Sequence, residues 1–275
     1  MQPGQQKISQ FDEVTSAQSG DILPLVRNGQ NKRITVGNFA GVPPEGYTAA
    51  AQIWTYLSFS ATTQIGTITV PTDATVKYNS GMRIQITQAT GGIKYGIIQM
   101  VTATVLHVMF PAGTTLNNEA ISTPFYTSLF APLGFPMDPN LFTLEVSPSA
   151  NVVQGSPTAL AWYNAALLAV GVGRYVCDYE ATHWIVKGSA PVVWGFITLS
   201  TTNNGITDPK MGSMTYASAT ELMNTGKRQR VYNFTSPTTL YLNHAVNQAS
   251  VTQTAIYTSD AANTRSVVRA RCAYI

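Results

Sequence analysis

Asp178, Glu180 and Thr182 recur at every second position with His183 beside them, the densest set of titratable groups in this 275-residue sequence. Alternate residues of a strand share a face, so two carboxylates two positions apart sit about 7 Å from one another. A glycosidase needs its acid and its nucleophile or base roughly 5 to 10 Å apart, which makes the spacing permissive. Nearly every solvent-facing strand with two acids meets the same condition. A wet strand face is the favoured reading, and no catalytic residue is assigned. His107, His183 and His244 are scattered, with no i, i+4 pair and no His-X-His, so no metal ligands are assigned. Gly171-Val172-Gly173 lacks the third glycine and the following helix of a dinucleotide fingerprint, and Gly155-Ser156-Pro157 is not a nucleophile elbow. The expectation is a protein that is not an enzyme and takes no cofactor.

Two other residue types could make contacts. Lys227, Arg228 and Arg230 follow Gly226 and could touch an anionic partner, although a solvated loop is the commoner explanation of such a run. Arg265, Arg269 and Arg271 add positive charge near the end; if the two groups met in the fold they could bind an anionic glycan or a neighbouring subunit. Trp162, Tyr163, Trp184 and Trp194 could form a sugar-stacking platform, but Trp184 and Trp194 lie inside apolar segments and read more readily as core.

The elements that must position these residues read as strands. Only 11% of the chain is Asp, Glu, Lys or Arg, against about 25% in average soluble proteins. Its polarity comes from Thr, Ser, Asn and Gln, which suit sheet surfaces and flat interfaces without an ion's desolvation cost. A net charge of +3 is small for this size and argues against nucleic-acid binding. Cys177 and Cys272 are too few for a disulfide framework; each fits an apolar run as a thiol, and a single bridge between them remains open. Residues 1–10 lack a signal-peptide pattern, and the longest apolar run, 165–173, is far shorter than the roughly 20 residues that span a bilayer. No membrane insertion is expected, and synthesis in a cytosol is.

Residues 1–41 read as a separate arm. Two apolar groups, 22–26 and 34–36, flank Asn28-Gly29, a hairpin signal whose run from Asn28 to Lys32 suggests a loop longer than two residues. Val42-Pro43-Pro44-Glu45-Gly46 follows as a linker. Residues 42–142 carry short strands at 65–70, 82–86, 95–100 and 105–110, separated by Gly and Pro, the pattern of a small antiparallel barrel or sandwich. Residues 143–275 read as a jelly-roll-like sandwich with strands at 168–179, 182–186, 192–200, 230–234, 239–242, 251–257 and 267–274. In the last, Val268, Ala270, Cys272 and Tyr274 alternate with Arg269 and Arg271, one face buried and one wet. The stretch 156–168 could instead be a helix. The fold class is therefore all-β: hairpin arm, small barrel, sandwich.

Two segments are familiar. Lys7-Ile8-Ser9, Asp21, Leu23-Pro24-Leu25-Val26, Asn28-Gly29 and Ile34-Thr35-Val36 resemble the amino-terminal segment of many phage fibre and virion proteins, which commonly docks onto the particle. Tyr78 to Gln88, Lys94-Tyr95-Gly96, Leu106 to Phe110, Ala120-Ile121-Ser122, Phe125-Tyr126 and the exit Gly134-Phe135-Pro136 resemble a small β module of phage structural proteins. The resemblance implies a bacteriophage virion protein whose arm docks through Leu23, Leu25, Ile34 and Val36 on a major capsid, neck or tail protein. With no heptads or repeats to build a long shaft, a capsid decoration protein, cement or head fibre is favoured, by resemblance a homotrimer. The alternative is a tail or baseplate protein that recognises a host surface glycan.

Overall fold

The computed structural model describes residues 22–27, 30–35, 45–188, 192–258 and 266–275. Among them the regular elements are strands and three short 3-10 turns, and the strand ladders are antiparallel. The chain is all-β. The amino-terminal hairpin pairs β1 (Ile22–Arg27) with β2 (Gln30–Thr35), setting Leu23 opposite Ile34 and Leu25 opposite Lys32. The ladder runs to Arg27 opposite Gln30, so the connection is the two residues 28–29 and not the longer loop expected. Residues 28–29 and Val36 of the expected docking face lie outside the described residues.

Seven strands follow: β3 (Thr48–Ala49), β4 (Thr55–Ser60), β5 (Ile65–Thr69), β6 (Arg83–Gln88), β7 (Gly92–Val101), β8 (Val105–Met109) and β9 (Ser122–Thr127). They form one sheet in the order β3-β9-β6-β7-β8-β5-β4. Register shifts at Tyr56/Ser58, Gln85/Thr87 and Ile98/Met100 coil it. Gly66 and Gly96 let it bend tightly over Phe110: a Cβ on Gly66 would lie 2.8 Å from that ring, and one on Gly96 2.4 Å from Val108. Trp54, Ile68, Tyr78, Ile84, Ile98 and Leu106 fill the concave side. The expected small barrel is an antiparallel sheet that coils without closing, since the ladder order ends at β3 and β4 without joining them.

The remaining strands are β10 (Thr143–Val146), β11 (Val152–Gly155), β12 (Tyr163–Val170), β13 (Gly173–Lys187), β14 (Val193–Ser200), β15 (Gly212–Ala217), β16 (Glu221–Phe234), β17 (Thr238–Val246), β18 (Val251–Tyr257) and β19 (Val267–Cys272). One sheet runs β10-β19-β13-β18-β11 with β16 also on β13; the other runs β12-β17-β14-β15. β13 is the spine, with β19 beside its first half and β18 beside its second on one edge, and β16 along the other. Tyr175, Cys177, Tyr179 and Ala181 face Ile197, Leu199, Leu240 and Leu242 across the sandwich core. The helix considered for 156–168 is not formed; Ala166, Leu168 and Val170 bury at every second position of β12 while Leu167 stays exposed. Both cysteines are buried thiols, not a bridge.

The sandwich and the coiled sheet share a core. Ile65, Ile97, Met109 and Phe135 pack with Phe142, Leu144 and Tyr175, and Phe135 stacks on Phe142 at 5.7 Å. The boundary drawn after residue 142 thus falls inside packed structure, at the 3-10 turn Pro139–Phe142.

Candidate functional site

The strand pattern 178-180-182 is real, but its environment is not a wet face throughout. Asp178 is buried, with Arg269 on β19 and Gln229 on β16 opposite it in register. Arg271 Nη2 donates to Asp178 Oδ2 at 3.0 Å and Arg269 Nη1 to Oδ1 at 3.4 Å, while Arg269 Nε donates to Glu145 Oε2 on β10 at 2.9 Å. Burial opposes the charge of Arg269, but the hydrogen bond and charge of Glu145, with the charge of Asp178, hold its pKa above the ordinary value. Further along, Lys227 reaches Glu180 at 3.4 Å and Thr182 shares a hydrogen bond with Thr225. The walls enclose a cleft of about 370 Å³ lined by Glu145, Asp178, Lys227, Gln229, Arg269 and Arg271 among others.

The basic run therefore divides. Lys227 turns to the cleft and meets the Arg269–Arg271 pair there. Arg228 and Arg230 turn to the opposite face, where Arg228 Nε donates to Gly212 O at 3.1 Å and Arg230 pairs with Asp208. Tyr232 OH and Lys210 N–H also donate to Asp208. Burial would raise the Asp208 pKa, but these hydrogen bonds and the charge of Arg230 hold it below the ordinary carboxylate value. Lys227, Arg269 and Arg271 of the cleft are matched by Glu145 and Asp178 within it and by Glu180 outside its lining, so the charges balance in pairs. Both oxygens of Asp178 are occupied by guanidinium groups, so the carboxylate weighed for a catalytic pair is engaged in holding strands together.

No family model matches the chain, and neither does any curated protein. Among solved structures, the VP2 subviral particle protein of infectious bursal disease virus is 8% identical, with a TM-score of 0.33 over 84% of this chain and 73% of that one. The protein of T=1 particles derived from the same virus is 11% identical, with a TM-score of 0.31 over 91% of this chain and 62% of that one. Latent PorU from Porphyromonas gingivalis is 8% identical, with a TM-score of 0.26 over 81% of this chain and 24% of that one. Superpositions this loose do not separate a viral shell protein from PorU, and no function passes from them to this chain.

The aromatic residues depart from expectation. Trp54, not singled out from the sequence, is the fully buried tryptophan, whereas Trp162, Trp184 and Trp194 are half-buried. Trp194 and Phe196 of β14 lie on the outer face of the four-stranded sheet, opposite Tyr216 and Met214 of β15. Trp194 packs on Tyr216 at 5.0 Å and Trp162 on Phe196 at 6.4 Å; Met214 and Tyr216 are 59% and 48% exposed. Sequence could have signalled this, because Trp194 and Phe196 alternate with the buried Val193, Gly195 and Ile197. His183, grouped with the acids by adjacency, has the opposite parity and faces the core.

Among the described residues no group of three or more His, Cys, Asp or Glu is placed to hold a metal ion. No described helix is long and apolar enough to cross a membrane.

Proposed function

We propose that this chain is a structural protein of a bacteriophage particle, attached through its amino-terminal arm as a trimeric capsid decoration protein, cement or head fibre. The observation that carries the reading is the hairpin: two six-residue strands closed by two residues, within the segment that resembles phage docking arms. A two-stranded hairpin is only marginally stable alone in water, so a docking groove that adds a strand or covers one face stabilises it. The low charge of the body supports the same reading, because uncharged polar surface enters contacts cheaply. Three arms on one trimer raise the local concentration of weak contacts and lift avidity about 10²-fold or more.

The test is co-sedimentation with particles that lack the protein, using the full chain and a variant without residues 1–41. The full chain should pellet with particles and the shortened one should remain a folded oligomer in the supernatant. Equal pelleting of the two refutes the docking assignment. Antibody label over the shell places the protein on the head, and label at the tail tip favours the second reading.

That second reading is recognition of a host surface glycan, and the half-exposed ring pairs Trp194–Tyr216 and Trp162–Phe196 favour it. Replacing Trp194 and Tyr216 by Ala would then abolish cell binding while particle assembly continues.

A further inference from the structure

Two imidazoles meet inside the carboxy-terminal sandwich. His183 comes from β13 and His244 from β17 of the facing sheet; both are fully buried, with ring centroids 5.6 Å apart, edge to face. One hydroxyl serves both: Thr254 Oγ1 of β18 lies 2.7 Å from His183 Nε2 and 3.2 Å from His244 Nδ1. A hydroxyl carries one proton, so it donates to one ring nitrogen and accepts from the other. That arrangement suits two neutral rings of the same tautomer, both Nε2–H or both Nδ1–H. The outer nitrogens, His183 Nδ1 and His244 Nε2, have no hydrogen-bond partner. The backbone of β14 closes the space beside His183, since a Cβ on Gly195 would lie 2.7 Å from Nδ1.

No carboxylate faces the pair from the described strands. β14 offers Gly195 and Ile197, β15 Thr215, β16 Asn224 bonded to Thr215, β18 Thr254 and Ile256, and β12 Tyr163, whose ring is 5.9 Å from His244. The one titratable side chain among these is the Tyr163 phenol. The polar layer also divides the core. Ala181, Ile197 and Leu242 belong to the main cluster, while Ile185, Val193, Ala217, Val246 and Val251 form a cluster of their own beyond it.

We infer that the His183–Thr254–His244 layer is an acid-sensitive latch for that end of the sandwich: two uncharged rings close the gap between the sheets, and a proton on either one opens it. The proton adds a charge to a fully buried ring that no carboxylate of the described strands faces. Burial holds both rings below the ordinary imidazole range, His183 well below with the neighbouring His244 adding to the effect, and His244 at about 4. Groups of this kind take up more protons unfolded than folded. Stability is therefore complete above roughly pH 6.5 and falls as pH descends toward the folded values.

The experiment compares pH 7 with pH 5, a window that precedes most carboxylate titration. His107, half-buried on β8 with its pKa lowered by burial, is first replaced by Gln to remove its share. Each buried ring should then lower the folding equilibrium constant about 30-fold by pH 5, or about 10³-fold together. Hydrogen exchange, corrected for intrinsic rate, should rise first around Ile185, Val193, Val246 and Val251. His183→Gln and His244→Asn keep an amide near each bonded ring nitrogen but take up no proton, so the double variant should lose less than tenfold. An equal loss in the double variant, or exchange rising uniformly over the whole chain, overturns the latch. Should that variant fail to fold, ring titration by NMR decides on the original protein. Rings neutral down to pH 5 support the latch, and rings that titrate near 6.5 with protection intact overturn it.

Discussion

Asp178 holds three strands together, because guanidinium groups from β19 occupy both its oxygens and one of them continues to Glu145 on β10. Its side chain is 4% exposed, whereas those of Lys227 and Glu180 nearby are 63% and 43% exposed. Removing one partner of a buried pair leaves the others uncompensated, while an exposed pair is already screened by water. Asp178→Asn should therefore cost about 1–3 kcal/mol in denaturant unfolding, a range reduced for the partly exposed arginines, and Lys227→Ala should cost less than about 0.5 kcal/mol. Position 178 was legible as part of an acidic strand face; its role was not, because the arginines that meet it lie about 90 residues away and only strand register brings them there. The thiols give a second check at this scale. Burial, aided by the charge of Asp178, pushes the Cys177 thiol up to about 12, and burial raises Cys272 as well. Since the thiolate is the reactive form, both cysteines should resist an alkylating reagent at pH 8 in the native protein and react promptly in denaturant.

Most strands were visible from alternating burial, yet their lengths and breaks were not. The segment 168–179 reads as one strand from its apolar run, but the chain leaves β12 at Val170 and begins β13 at Gly173. The cause is tertiary. A Cβ on Gly171 would lie 2.4 Å from Ile65, and one on Gly173 would lie 2.3 Å from Gln99 Oε1, so the coiled sheet presses against this corner. Gly173 also has φ of +132°, a backbone conformation closed to other residues. Gln99 completes the corner by accepting from Arg174 N–H at 3.1 Å and donating to Cys272 Sγ at 2.9 Å. Gly173→Ala adds strain and a clash together and should destabilise by about 2 kcal/mol or more, measured by thermal unfolding. Gly155→Ala is the control, since nothing lies within 4 Å of a Cβ there and its φ is not positive. It should change stability by less than about 0.5 kcal/mol. Downstream, residues 173–179 and the segment 182–186 belong to a single 15-residue strand whose length is set by its three partners, a property no local window contains.

The shared core decides how the body behaves as a whole. Phe135 stacks on Phe142 and meets Tyr95 edge to face, in the same core as Tyr175, and Arg83 of β6 reaches the carbonyl of Tyr274 near the chain end at 2.5 Å. Cutting the chain after residue 142 would expose Leu144, Tyr175 and Cys272 on one piece and Ile65, Ile97 and Met109 on the other, while removing Gln99 from its partners. Burial of such side chains contributes roughly 1.5–3 kcal/mol each, comparable in sum with the whole stability of a domain. Residues 45–275 should therefore unfold in one calorimetric transition at neutral pH, and residues 143–275 expressed alone should melt well below the full chain and bind a hydrophobic dye. A fragment as stable as the full chain would mean that the contact between the sheet systems carries little energy, despite the packing of Phe135, Phe142 and Gln99. Removal of residues 1–41 deletes none of these contacts, so it should leave the calorimetric transition of the body unchanged. These two truncations separate what the body needs to fold from the attachment proposed for the arm: the first should lower the melting temperature, and the second should change particle binding alone.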